Sequence, residues 1–402
     1  MAIMNFELDP ALEAFRQEVR AAIDADLTLE LKAGMQAYAG SQAEPDDALT
    51  WMRILNKRGW SVPHWPIEYG GTGWSAMQLY IFNEECCNAW APDTCWGETQ
   101  MCGPVIYTFG SDYLKEKFLP AFRRGDYYLA QGFSEPGNGS DLARLRTAAR
   151  REGNIYIVNG QKIWTSSAYA SKWGFFLVRT DPNVKSQAGI SFLMIKLDTP
   201  GITIRRIPQL NGEADLCEVF LDNVVVPAEN LIGEEGKGWT YAKFLLDHER
   251  TTSSFIFFNK RELARAKMIA QNEAQDGEPL IRNPHFRSRL LRIEAELTAL
   301  EWSVLRELSH EDFKYDATAA ASTLKIAGSR LQQSINELQM DMLGAKAMRA
   351  FPFDPADRED APLWPGYAET ATSRALVMRA ATIYGGTLQI QKGIIAKLAF
   401  DL

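Results

Sequence analysis

The chain has 402 residues, 46% of them hydrophobic and 11% aromatic, so it can bury a large core and exceeds the usual size of one domain. A formal net charge of −8 argues against a polyanionic partner, because nucleic-acid binding is driven by Lys and Arg neutralising phosphates. The five cysteines and four histidines show no metal-ligand spacing, and no stretch is long and apolar enough to span a bilayer, so free thiols, a cytoplasmic setting, no metal and no membrane span are expected.

Leu8-Asp9-Pro10 carries a cap and a first-turn proline, and Leu12, Phe15, Val19 and Ile23 then recur at helical spacing. The N-terminal segment has acids early and no unbroken apolar run, so it reads as a packed helix rather than a cleaved leader. Further helices are expected from Trp51 to Lys57, in AMQLYIFNEECCNAW and in GSDYLKEKFLPAFRRG, separated by the Pro- and Gly-rich VPHWPIEYGGTGW, which makes residues 1–127 a helical domain. From Tyr128 the period changes. YYLAQGF, NIYIVNGQKIW, KWGFFLVRT, GISFLMIKL, ITIRRI and CEVFLDNVVV read as strands of an antiparallel β domain over 128–236, with Asn159-Gly160 and Pro200-Gly201 as turns. The run containing Arg144, Arg146, Arg150 and Arg151 reads as a solvated linker, with a phosphate-bearing ligand as the alternative. Helical patterning fills 237–402 with four long segments, 238–274 being the first, and suggests an antiparallel bundle. The expected fold class is therefore α+β: helical domain, antiparallel β domain, four-helix bundle.

The segment Ser134 to Asp141, SEPGNGSD, sets small residues and hydroxyls in a loop whose backbone can approach a flat ligand, although a plain surface connection has similar composition. SEPGNGSD followed by NGQKIWTSS resembles the paired signature of the flavin-dependent acyl-CoA dehydrogenase family, and the order of elements is similar to that family's over essentially the whole chain. The resemblance implies FAD, with Gln131, Phe133, Ser134, Gly139, Ser140, Trp164, Thr165 and Ser166 lining the flavin. It also implies that Ser140 touches the acyl-CoA, that the Ser166 hydroxyl approaches flavin N5, and that Thr387 and Gln389 lie on the adenine side. Without it, Trp164 would read as a core residue at a strand end.

The implied reaction removes the α proton of an acyl thioester by a carboxylate while the β hydrogen leaves as hydride. Many family members carry that base in a Tyr-Glu-Gly-Thr string, but here the string is Tyr384-Gly385-Gly386-Thr387. A second subgroup, with isovaleryl-CoA dehydrogenase among its members, carries Glu before Arg on the first bundle helix, matching Leu246-Asp247-His248-Glu249-Arg250. On an unbroken helix Glu249 would share a mostly apolar face with Leu245, Leu246, Thr252, Ser253 and Ile256, which would raise its pKa towards the useful range. Glu249 is therefore the expected base and His248 the rival, with Asp247 and Arg250 placed beside the thioester by the resemblance.

Two family strings are replaced. Arg-x-x-Phe-Gly-x-Pro becomes Glu273 to Pro279 without its Arg, and Gln-x-x-Gly-Gly becomes Gln339 to Gly344, so FAD contacts across a subunit interface are expected to differ. EYGGTGW, VIYTFG, GWTYAKFLLDHERT and IYGGTLQIQ look most like the large subunit of bacterial pimeloyl-CoA dehydrogenase and similar chains. That implies a bacterial enzyme passing electrons to an electron-transfer flavoprotein, in a homotetramer or a heterotetramer with a homologous subunit. Its acyl group would be branched, dicarboxyl or ring-bearing. A half-site or non-catalytic subunit is the alternative, and a flavin monooxygenase or acyl-CoA oxidase on the same scaffold ranks lower.

Overall fold

The computed structural model describes residues 9–38, 42–248, 254–309, 317–348 and 365–402. Among the described residues six α-helices come first: α1 (Pro10–Asp26), α2 (Leu29–Ala37), α3 (Pro45–Arg58), α4 (Ala76–Asn88), α5 (Gly103–Phe109) and α6 (Asp112–Arg124). The α1 start is as the sequence predicts, with the Asp9 carboxylate accepting from Ala11 N and Pro10 in the first turn, while Phe15, Val19 and Ile23 are buried. Immediately before α5, residues Gly97–Cys102 form a π-helical turn.

The strands are β1 (Tyr128–Gly132), β2 (Ala148–Glu152), β3 (Ile155–Lys162), β4 (Ser171–Arg179), β5 (Ile190–Lys196), β6 (Ile202–Ile207) and β7 (Leu216–Pro227). Their order is β1-β4-β2-β3-β7-β6, with β5 on the other edge of β4. Most pairs are antiparallel, but β1 runs parallel to β4, so the sheet is mixed rather than antiparallel throughout. The near-continuous apolar runs of β4 and β5 have a cause. Phe175, Leu177, Phe192 and Met194 face the N-terminal helices, while Phe176, Val178, Leu193 and Ile195 face a second core, so both faces are buried.

Two turn and linker assignments are overturned. The arginine-rich run is partly a strand: β2 pairs antiparallel with β3, with Ala149 buried and Arg150 and Arg151 pointing outwards. Asn159-Gly160 is no turn but an irregularity inside β3, where the register against β7 shifts and a Cβ on Gly160 would lie 2.6 Å from the Thr147 Cα. Pro200-Gly201 does form the β5–β6 turn, with Gly201 at φ 92°.

The C-terminal region contains α7 (Gly238–His248), α8 (Ile256–Asn272), a short hairpin of β8 (Ala274–Gln275) and β9 (Glu278–Pro279), α9 (Pro284–Leu308), α10 (Ala317–Leu343), α11 (Gly366–Glu369), α12 (Ala371–Val377) and α13 (Leu388–Phe400). Two of the four long helices expected from the sequence are thus broken. The first is described as far as His248, and α8 begins after Phe255, whose φ of 54° is incompatible with a continuing right-handed helix. The last gives way to a 3₁₀ turn at Met378–Thr382 and the left-handed Gly385 and Gly386 before α13. α8, α9 and α10 share one core with Ile269, Leu297, Ile335 and Leu338 in it. No described helix is long and apolar enough to cross a membrane.

Candidate active site

β1 and β2 lie end to end along one edge of β4: β1 pairs with Ser171 to Phe176, and Ala148 pairs with Arg179. Between them the chain must leave the sheet, and residues 133–147 form the loop that does so. Its ends are pinned. The Arg179 guanidinium donates to the Ala143 and Leu145 carbonyls at 2.8 and 2.9 Å, and the Glu135 carboxylate accepts from Arg146 N at 2.6 Å, Thr147 N at 2.8 Å and the Thr147 hydroxyl at 2.6 Å.

The second motif segment is tied to the first at the same place. Ile163 N donates to the Ser134 carbonyl at 3.0 Å, and Lys162 Nζ donates to the Phe133 carbonyl at 3.1 Å and to Glu135 Oε1 at 2.9 Å. Lys162 is wholly buried; burial pulls its pKa down to about 8, partly offset by the Glu135 charge. Burial works to raise the Glu135 pKa, but the Lys162 charge and the Thr147 and Arg146 bonds outweigh it and hold the carboxyl below its ordinary value. Lys162 lies within the quoted NGQKIWTSS string, yet nothing in the sequence singled it out. An inward-facing lysine on an alternating strand is the signal that could have. On the flavin reading that the motif resemblance implies, Lys162→Met is expected to weaken FAD binding by about tenfold, as for supporting groups lost behind metal ligands, read by titrating FAD into apoprotein.

On this frame the predicted residues fall into two groups. Phe133 is buried edge-on against Phe175 and Phe192, with centroids 5.6 and 5.8 Å away, and so is a fixed wall. Gln131, Ser134 and Ser166 are half-buried, while Gly139 and Ser140 are exposed. A Cβ added at Gly137 or Gly139 would meet nothing within 4 Å, so the loop leaves open space above it. Trp164 is 56% exposed at φ 62°, which excludes the core reading and turns the indole outwards at the strand end. Thr165 is buried, its backbone bonded both ways to Cys217, and its Oγ1 has no hydrogen-bond partner. Open glycines, a rigid aromatic wall and an orphaned hydroxyl beside half-buried serines suit a flat ring with polar edges, so these residues fit a flavin.

Thr387 and Gln389 belong elsewhere. Thr387 caps α13, its Oγ1 accepting from Ile390 N at 3.2 Å, and Gln389 is exposed on that helix. Among the described residues no hydrogen bond joins either to the 131–141 or 162–167 segments. Glu249 and Arg250 lie outside the described residues, and Asp247 and His248 are described only as the end of α7. Within the described part of α7, Leu245 is buried and Leu246 is 40% exposed, and the face that carries Glu249 itself lies outside the described residues.

A second buried polar cluster joins the three regions. Ser373 Oγ donates to the Asn211 carbonyl at 3.2 Å, and Arg374 Nη2 donates to the Gln36 and Tyr38 carbonyls at 3.0 and 2.9 Å, which ties α12 to the β6–β7 loop and to the end of α2. In that loop Glu213 is buried with neither oxygen hydrogen-bonded, and burial, with the nearby Asp215 charge, pushes its pKa up to about 7. An acid held neutral when folded lowers stability once it must ionise. Stability should therefore fall as pH rises from the ordinary value of 4.5 to about 7, and Glu213→Gln should add about 2 kcal/mol at pH 8 and nothing at pH 4, measured by urea unfolding.

Three family profiles cover nearly all of the chain: the acyl-CoA dehydrogenase N-terminal domain over residues 9–126, middle domain over 130–224 and C-terminal domain over 236–400. "Acyl-CoA dehydrogenase IpdE1" of Mycobacterium tuberculosis is 33% identical over 398 residues, covering 97% of this chain and 98% of the relative. The chain belongs to the acyl-CoA dehydrogenase family. Among solved structures, the ChsE4-ChsE5 complex from Mycobacterium tuberculosis superposes with a TM-score of 0.83 at 31% identity, covering 99% of each chain. A structure described as the "Tcur3481-Tcur3483 steroid ACAD" gives 0.84 at 25% identity, again covering 99% of each. Homologues and neighbours of this kind mark the chain as an oxidoreductase, and the helical, β and helical regions are those of the acyl-CoA dehydrogenase fold.

Proposed function

We propose that the chain is an FAD-dependent acyl-CoA dehydrogenase that desaturates the Cα–Cβ bond of an acyl-CoA, with Glu249 as base. The observation that carries this reading is the pinning of the SEPGNGSD loop to the Trp-Thr-Ser strand end through Ser134, Glu135 and Lys162, under open glycines. Bound FAD would accept the β hydrogen as hydride. The chain's own residues do the rest: Phe133 and Trp164 bound the ring site, Ser134, Thr165 and Ser166 supply polar contacts to its edge, Ser140 meets the acyl-CoA, and Thr387 and Gln389 serve the adenine side. Glu249 takes the α proton, with Asp247 and Arg250 beside the thioester. A ring-bearing acyl group such as a steroid side chain is the favoured substrate class, because Gly385 stands where the family's other base would project and a solved relative is described as a "steroid ACAD". Electrons would pass to an electron-transfer flavoprotein in the cytoplasm.

One observation favours a heteromeric assembly over a homotetramer. Glu273, at the place of the Arg that commonly reaches a neighbouring subunit's FAD, is committed within its own chain, accepting from Lys346 Nζ and from the Tyr367 hydroxyl at 2.7 and 2.8 Å. A homologous partner subunit would then complete the FAD site. The deciding experiment is the visible spectrum of the purified chain, alone and with a co-expressed homologue, before and after anaerobic addition of acyl-CoAs. Bleaching by a steroid-side-chain CoA is expected. Flavin that no acyl-CoA bleaches would sink the dehydrogenase reading.

A further inference from the structure

We propose that Lys325 is a positioning residue of the acyl site: with Gly328 one turn on, it sets the spacing between the Tyr384–Gly386 turn and the Ser254–Phe255 entry to α8. This rests on the dehydrogenase reading. Lys325 lies within α10 at 2% exposure, and its Nζ donates to the carbonyls of Ala381 at 3.0 Å and Gly386 at 2.9 Å, which bracket the turn. Gly385 and Gly386 sit at φ 60° and 86°, and Gln391 Nε2 closes the turn onto the Gly385 carbonyl at 3.0 Å.

Gly328 governs the other segment. The chain at Ser254 passes so close that a Cβ on Gly328 would lie 1.9 Å from the Ser254 carbonyl oxygen, and Asn259 Nδ2 locks the approach by donating to the Gly328 carbonyl at 3.0 Å. The two anchored segments meet through Phe255 and Tyr384, whose ring centroids are 6.3 Å apart at 78°. One face of one helix thus holds both. The Lys325 ammonium holds both carbonyls at once, and that pair of contacts fixes the span of the turn.

Sequence gives the turn its meaning. It occupies the place of the Tyr-Glu-Gly-Thr string, and Ser254 follows Glu249 by five residues. Lys325 therefore acts on proton abstraction through placement, without touching the acyl group.

In FAD-loaded protein Lys325→Met should lower kcat by about tenfold or more while KM stays within about threefold, with a shifted pH profile of kcat. Amide hydrogen exchange should quicken at 381–386 and 254–258 and stay unchanged in α9. Wild-type kcat, or a loss that merely tracks the fraction of folded holoprotein, overturns the proposal. Should Lys325→Met fail to fold, Gly328→Ala, which displaces Ser254 and keeps the charge, is judged by the same split between kcat and KM. If wild-type protein binds FAD yet no acyl-CoA bleaches it, the dehydrogenase reading has failed on its own, and unchanged exchange at the turn in the variant overturns the positioning role independently.

Discussion

Glu249→Gln is expected to abolish turnover, lowering kcat by roughly a thousandfold or more while FAD content and acyl-CoA binding remain near those of the wild type. The amide keeps the size of the carboxylate and removes only its ability to take a proton from a carbon acid, so the loss should fall on kcat with little change in KM. Anaerobic mixing with substrate separates the steps: the complex should form, and the flavin should then stay oxidised. The chain offers one other carboxylate position by sequence, residue 385, where family members of the larger subgroup carry Glu. Gly385→Glu in the Glu249→Gln background is a severe test, because Gly385 sits at φ 60° and a side chain there costs about 1 kcal/mol before any contact is made. Full turnover by Glu249→Gln alone would eliminate Glu249 as base and make His248 the next residue to replace.

The order of helical, β and helical regions was legible because it rests on periodicity, which each region carries across many residues: the α1 stripe of Phe15, Val19 and Ile23, and the doubly buried runs of β4 and β5. The misreadings share a cause. β2 was hidden because Ala-Ala-Arg-Arg-Glu buries a single small side chain and holds its place through its partner β3, and Asn159-Gly160 mimics a hairpin turn where tertiary contact with Thr147 demands a glycine. The breaks at Phe255 and Gly385 likewise answer to α10, a helix distant in sequence from both. The residues proposed to line the flavin stood out only as a string. Lys162 and Glu135, which join the two halves of that string, carry no motif weight of their own, since an ion pair is a property of two elements folded together.

The largest stability effect is expected at Glu262. It is wholly buried on α8, with Arg374 and Arg265 at 3.4 and 3.6 Å and Arg261 beside them. Burial alone would raise its pKa, but the charges of Arg374, Arg265 and Arg261 and a bond from Gln339 pull it down to about 2. The same burial lowers Arg374 to about 9, which still leaves its guanidinium charged at neutral pH, with a face over Trp90 at 5.0 Å. Glu262→Gln would leave these buried cations facing a neutral amide, and a loss of about 3 to 5 kcal/mol at pH 7 is expected. Because the folded pKa lies below the ordinary 4.5, the carboxylate's contribution is complete above pH 4.5 and fades as pH falls towards 2. The gap between wild type and variant should therefore close over that interval, followed by denaturant unfolding across pH. A gap of the same size at pH 2.5 and pH 7 would show that Glu262 acts through its packing and not its charge.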